Sequence, residues 1–178
     1  MDIGKYLTQS WNLTIKNWAA FVVSAIDLQI LSCITLGILA LPLSAGVYLM
    51  YLKAAQGKAV KYNEMFACMN RWLGMLGAGI LSAILISFGL VLLVIPGLIV
   101  MTWLMFTLPL MADKNMGAIE AMKASMVMVN KAGIPMAFLM LLVSCVIIGA
   151  GSSVAWVGSF FTMPLGMGML AMAYKDKA

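Results

Sequence analysis

Asp27 is the side chain with the clearest potential for chemistry, because it is an ionisable group in a long apolar stretch. Residues 17–52 are apolar apart from Asp27 and Gln29. If this stretch crosses a bilayer, a carboxyl group near its centre costs about 2.5–3.5 kcal/mol and needs a compensating role. One interpretation is a structural hydrogen bond, in which the protonated acid donates to Gln29, Ser24, Ser32 or a carbonyl on another helix. The alternatives are a proton or cation pathway and a position nearer the membrane surface.

The rest of the sequence contains no set of residues typical of a catalytic site. It contains no histidine, which excludes Ser-His-Asp, Cys-His and histidine-zinc sites within one chain. The carboxylates other than Asp27 lie beside lysines, as on a solvated helix surface. No glycine-rich run is followed by the lysine of a phosphate-binding loop. We therefore expect no enzyme activity, no cofactor and no nucleic-acid partner.

The 18 methionines are the other unusual feature, since Cu(I) accepts thioether ligands. Four of them, Met163, Met167, Met169 and Met172, cluster near the C-terminus, but no histidine or cysteine joins them. Methionine also fills irregular gaps between helices, so we favour packing and expect no metal. The three cysteines form no CxxC pair, and we expect them to be free.

The composition indicates that these residues lie in membrane-spanning helices. The chain is 64% hydrophobic and 10% charged, whereas a soluble domain is about 25% charged. The uncharged run at residues 72–112 would be about 60 Å long as one helix, twice the hydrocarbon thickness, so it must fold back. Breaks are predicted at residues 35–37, 94–97 and 149–153. The polar N-terminal segment does not read as a cleaved signal peptide.

The sequence therefore predicts a single all-α integral membrane domain, residues 1–178, with six transmembrane helices in three hairpins. All 11 lysines and arginines fall on one face of this arrangement, and the three opposite turns carry no charge. Because cytoplasmic loops collect basic residues, both termini are expected in the cytoplasm. The predicted spans are Trp18–Thr35, Gly37–Ala55, Trp72–Val94, Gly97–Ala112, Ile134–Ala150 and Val154–Tyr174.

A charged amphipathic segment precedes each hairpin. Residues 3–18 place apolar side chains on one helix face and lysines on the other, residues 118–131 do so similarly, and residues 61–72 more weakly. Helices of this kind lie in the headgroup layer on the cytoplasmic side, so anionic membrane lipids are the expected partners. The side chains predicted to face headgroups are Lys5, Lys16, Lys58, Lys61, Arg71, Lys123 and Lys131.

The sequence also suggests an internal repeat. Pro42–Lys53 and Pro164–Lys175 share Pro-Leu, Gly, Met and Lys at identical offsets. The possible repeat units are residues 1–57, 58–113 and 114–178. Small residues are predicted to allow close helix packing in lipid. The predicted packing positions are Gly46, Gly74, Gly77 and Gly168.

Four stretches carry a resemblance to a known family: Leu93–Ile99, Leu108–Asp113, Ala118–Ser125 and Pro164–Lys175. Together they resemble a poorly characterised bacterial inner-membrane protein family related to the non-catalytic membrane region of glycerophosphodiester phosphodiesterases. The resemblance implies a multi-pass protein of the bacterial inner membrane with six helices and no established activity.

Two functions of different class remain open from the sequence. We favour a non-enzymatic membrane protein that binds lipid, a membrane-protein partner or a second copy of itself. The alternative is a small transporter or channel that uses Asp27, with Gln29 nearby, as an intramembrane proton or cation site.

Overall fold

The computed structural model describes residues 3–92, 94–153 and 155–177, which form helices joined by short turns, with no strand among them. The predicted all-α fold is confirmed. Leu93 and Val154, which belong to the predicted third and sixth spans, lie outside the described residues. The helices are α1 (Ile3–Lys16), α2 (Trp18–Ile34), α3 (Ala40–Ala55), α4 (Trp72–Leu92), α5 (Val94–Trp103), α6 (Thr107–Asp113), α7 (Ala118–Ala132), α8 (Ile134–Ser153) and α9 (Ala155–Lys177).

The described part of the chain contains two helical runs that are long and apolar enough to cross a membrane, Tyr62–Val91 and Ile95–Asp113. The number rises to four if each of two sharply bent helix pairs is one span. Ala40–Ala55 is a shorter apolar helix. Membrane-spanning helices are thus supported by length and composition, whereas the predicted count of six stays a prediction.

The first predicted break is present as a tight turn. α2 ends at Ile34, and Leu36 and Gly37 then adopt positive φ angles of 51° and 83° before α3 begins at Ala40. Glycine adopts this left-handed conformation without steric cost, which is why the turn forms where the apolar run contains Gly37. The strained residue beside it, Leu36, is 92% exposed.

The chain also reverses between α4 and α5, around the predicted break. A Cβ atom built on Gly89 would lie 2.9 Å from the Gly97 Cα atom. In a continuous helix two residues eight apart are separated by about 12 Å, so this close approach requires the chain to turn back. At the third predicted break the outcome differs, because α8 continues through residues 149–153 and ends at Ser153.

The predicted fourth span, Gly97–Ala112, lies within the candidate membrane-crossing run Ile95–Asp113, but a turn at residues 104–106 separates α5 from α6. Pro109 removes one of the backbone donors that a continuous helix would need. Ser125 of α7 bridges the break: its hydroxyl donates to the Trp103 carbonyl at 2.5 Å and accepts from the Phe106 N–H at 3.1 Å. A side chain from a distant segment therefore partners the backbone groups that the break leaves open.

The middle amphipathic segment is not an α-helix, which corrects the prediction for residues 61–72. It consists of two short 3₁₀ turns, Tyr62–Phe66 and Met69–Arg71, that lead into α4. Its sequence is rich in aromatic residues and asparagine, which have modest helix propensity. The segment packs closely on α3, where Gly46 lies directly against the Met65 backbone carbonyl.

The other two amphipathic segments are α-helices set across the helices that follow them. α1 meets α2 at 96°, and α7 meets α8 at 108°. At the second bend, Gly133 adopts a φ of 90°, which glycine tolerates. If α2 and α8 cross a membrane, α1 and α7 lie nearly parallel to its surface.

The core is built from α3, α6 and the C-terminal half of α9, whose side chains are mostly buried. Phe21 of α2 stacks on Tyr51 with ring centroids 4.1 Å apart, and Phe106 lies 6.2 Å from Tyr174. By contrast, only 17% of the most apolar window of Tyr62–Val91 is buried. The large apolar surface of this run needs lipid or another chain around it.

Candidate membrane-surface site

α1 contacts the protein through a narrow stripe of small and polar side chains. Tyr6, Ser10 and Thr14 are buried, and they face α9 and α3. The Ser10 hydroxyl donates to the Leu165 carbonyl at 2.9 Å, while the Thr14 and Tyr51 hydroxyls share a 2.7 Å hydrogen bond. These bonds fix α1 to the core, and Ile3 and Leu7 of the predicted apolar face are partly buried against it.

The C-terminal part of the predicted apolar face remains largely uncovered. Trp11 and Ile15 are 54% and 53% exposed and form an edge of α1 next to its polar face, and Trp18, the first residue of α2, is 64% exposed. Lys5 and Lys16 are exposed, as predicted. An apolar edge bordered by lysines on a helix parallel to a membrane is the arrangement that lies in a headgroup layer.

α7 repeats this arrangement. Its buried face includes Ser125, and its exposed apolar residues are Ile119 and Val127, at 61% and 53%. Lys123 and Lys131 are exposed, as predicted. The two helices therefore share a serine that bonds to a backbone carbonyl of another segment, an uncovered apolar edge and two lysines.

The three cations predicted for the middle segment have different outcomes. Lys58 and Lys61 are exposed in the link after α3. Arg71 was expected to face headgroups, but its guanidinium donates to the Met116 carbonyl at 2.9 Å and to the Asn115 side chain at 3.0 Å. Arg71 therefore binds the loop after α6, because the 3₁₀ turns bring its side chain to that loop.

Asp27 is half-buried and accepts a hydrogen bond from the Tyr62 hydroxyl. The predicted bond had the acid as donor, whereas here it is the acceptor. Of the predicted partners, Ser24 donates to the Ala20 carbonyl at 2.6 Å. Gln29, also half-buried, lines a separate apolar cavity near the C-terminal end of α2. Tyr62 was not foreseen as a partner, because no spacing rule connects residues 35 positions apart.

Two of the four predicted packing glycines make close contacts within the chain. Gly46 lies against Met65, and a Cβ atom on Gly168 would lie 2.6 Å from the Tyr51 ring. Beside Gly74 and Gly77, no atom of the described chain lies within 4 Å of such a Cβ. Packing at these two positions stays a prediction, and it would require lipid or a second chain.

No protein-family model, curated protein or solved structure matches the chain. Within the described residues, no group of three or more histidine, cysteine or acidic side chains could hold a metal ion. Cys33, Cys68 and Cys145 are free thiols. The functional assignment therefore depends on the geometry of the helices.

Proposed function

We propose that this chain is a non-enzymatic integral protein of the bacterial inner membrane whose surface helices α1 and α7 bind anionic lipid. One observation carries the proposal: each helix turns across its successor, at 96° and 108°, with an uncovered apolar edge beside exposed lysines. The proposed membrane placement has six spans and both termini in the cytoplasm. It therefore puts all the lysines at the anionic leaflet.

Two energetic contributions favour placing α1 at the membrane interface over exposing it to water. Each lysine near an anionic surface contributes about 1 kcal/mol before screening. The indole rings of Trp11 and Trp18 have an apolar body and one N–H donor, which suits the boundary between headgroups and hydrocarbon. Both contributions act on α1 and its junction with α2, so this segment gains from lying at the interface.

The chain also offers a surface for a protein partner or a second copy of itself. Gly74 and Gly77 face open space on α4, and Leu73, Ile80 and Ile84 of the same helix are more than half exposed. Small residues let helices approach closely in lipid. This surface supports association as a second part of the proposed binding role.

The test replaces Lys5 and Lys16 with glutamine and measures hydrogen-exchange protection of α1 in vesicles. We expect weaker protection in anionic vesicles at low salt and little change in neutral ones, because only the electrostatic attraction is removed. The matched control replaces Lys58 and Lys61, which carry the same charge but lie outside α1. Equal loss of protection in both lipids would show that protein packing, not lipid, holds the helix.

A further inference from the structure

A cavity of about 500 Å³ lies where α1 passes the C-terminal ends of α3 and α9. Its charged groups are Lys5, Lys175 and Asp176, and the amide of Asn12 lies beside them. Leu13 and Met172 line the same cavity, and Met172 is buried. The cavity therefore places fixed charges next to an apolar wall, which is the pattern that a headgroup joined to a hydrocarbon chain requires.

The charges in the lining do not cancel. Among the described lining residues, two lysines against one aspartate leave a net charge of +1. The aspartate already has partners within the protein: Asp176 accepts from the Tyr6 hydroxyl at 2.7 Å and lies 3.8 Å from the Lys177 ammonium. A ligand carrying one negative charge would balance the cavity.

The carbonyl ends of α3 and α9 oppose anion binding, because a helix C-terminus carries partial negative charge. At α3 this is offset within the protein, since the Lys175 ammonium donates to the Ala55 carbonyl at 2.7 Å. That bond also holds the ammonium at the cavity wall. On the other wall, Lys5 lies in the first turn of α1, where the helix dipole adds positive charge.

We propose that this cavity binds the headgroup of a monoanionic phospholipid. The phosphodiester lies near Lys5 and Lys175, and the glycerol that carries the acyl chains lies against Leu13 and Met172. The proposal rests on the membrane placement proposed above, which puts the cavity at headgroup depth. The cavity proposal goes further than the surface-helix proposal, because it requires one discrete, saturable site. Lysines on a surface helix attract anionic lipid without fixed stoichiometry.

The test titrates the purified full-length chain in detergent with phosphatidylglycerol and counts bound lipids by native mass spectrometry. We expect one saturable site that binds phosphatidylglycerol more tightly than zwitterionic phosphatidylcholine or phosphatidylethanolamine. Lys175→Gln should weaken binding about fivefold, the effect of one lysine near an anionic group, and Lys175→Arg should restore it. Lys123→Gln, which removes the same charge from α7, should leave the site unchanged.

A second variant keeps the proposal testable if Lys175→Gln fails to fold. Asp176→Asn raises the net charge of the lining to +2 and keeps an acceptor for Tyr6, so it should tighten binding. Binding that does not change in this variant, or that is equal for the three lipids, would overturn the proposal. Binding of glycerophosphoglycerol, the free headgroup, as tightly as the lipid would also overturn the proposal.

The two proposals fail in different ways. Loss of the discrete lipid site, with protection of α1 by anionic vesicles retained, would overturn the cavity proposal alone. Retention of the discrete site, with no dependence of α1 on anionic vesicles, would overturn the surface-helix proposal alone.

Discussion

Tyrosine–carboxylate hydrogen bonds join distant segments of the chain. Each aspartate in the described ranges accepts a hydrogen bond from a tyrosine hydroxyl far away in sequence. A charged acceptor makes such a bond stronger than a bond between neutral groups. The three pairs are Tyr62 with Asp27, Tyr174 with Asp113 and Tyr6 with Asp176.

Asp27 is where the binding role and the transport role make opposite predictions. If its carboxylate only accepts from Tyr62, Asp27→Asn keeps an acceptor, and the variant should fold and associate like the native chain. If Asp27 carries a proton or cation across the membrane, the Asp27→Asn substitution must abolish the flux of that ion. We expect liposomes with an imposed pH gradient and an internal dye to show no flux above empty vesicles. Flux with the native chain that disappears in Asp27→Asn would favour a transporter.

The junction of α1 with α9 should weaken only in strong acid. The Tyr6 hydroxyl, and then the ammonium groups of Lys177 and Lys5, hold the pKa of Asp176 below its ordinary value of 3.8, although desolvation opposes them. A carboxyl whose pKa is lowered on folding adds stability above its unfolded pKa, and that stability is lost as the pH falls through the folded pKa.

Between about pH 7 and pH 5, the distance between spin labels on α1 and α9 should therefore stay constant, and it should lengthen only below about pH 4. Asp176→Asn should remove the acid-dependent change in this distance. A junction that opens near pH 6 would indicate that another group controls it.

At the scale of elements, the sequence predicted the helices better than their contacts. Proline, glycine and charged residues interrupt the apolar runs, so Trp18, Trp72 and Ile134 begin helices as predicted. The turn between α5 and α6 was missed, because the run is uncharged and the Ser125 hydroxyl that partners its open backbone groups comes from a distant segment. The stripe through Ser10 that seats α1 on the core was missed because polar residues were assigned to solvent.

The packing glycines give a direct test of these contacts. Gly46→Ala should destabilise the fold by about 1–3 kcal/mol, because its methyl group would collide with the Met65 backbone, which cannot rotate away. Gly74→Ala should stabilise α4 of a single chain by up to about 1 kcal/mol, because alanine favours helix and the space is open. Thermal unfolding in detergent measures both. Equal destabilisation would show that Gly74 also packs against another chain.

Across the whole molecule, each amphipathic segment packs on the last helix of a neighbouring predicted hairpin. Residues 62–66 lie on α3, α7 lies on α6, and α1 lies on α9, which closes the arrangement into a ring. The possible repeat units, residues 1–57, 58–113 and 114–178, stay a prediction. The Lys53–Glu64 and Lys175–Ala55 contacts lie at helix ends that the proposed membrane placement assigns to the cytoplasmic side.

Topology tests this placement most directly. A short epitope inserted into the intact chain after Lys58, after Lys114 or after Lys177 should be accessible only from the cytoplasm. The same epitope near Gly37, beside the exposed Leu36, or near Ser152 should be accessible only from outside. Cytoplasmic access at Gly37 or at Ser152 would contradict six spans, because the hairpin that contains that site would then not cross the membrane.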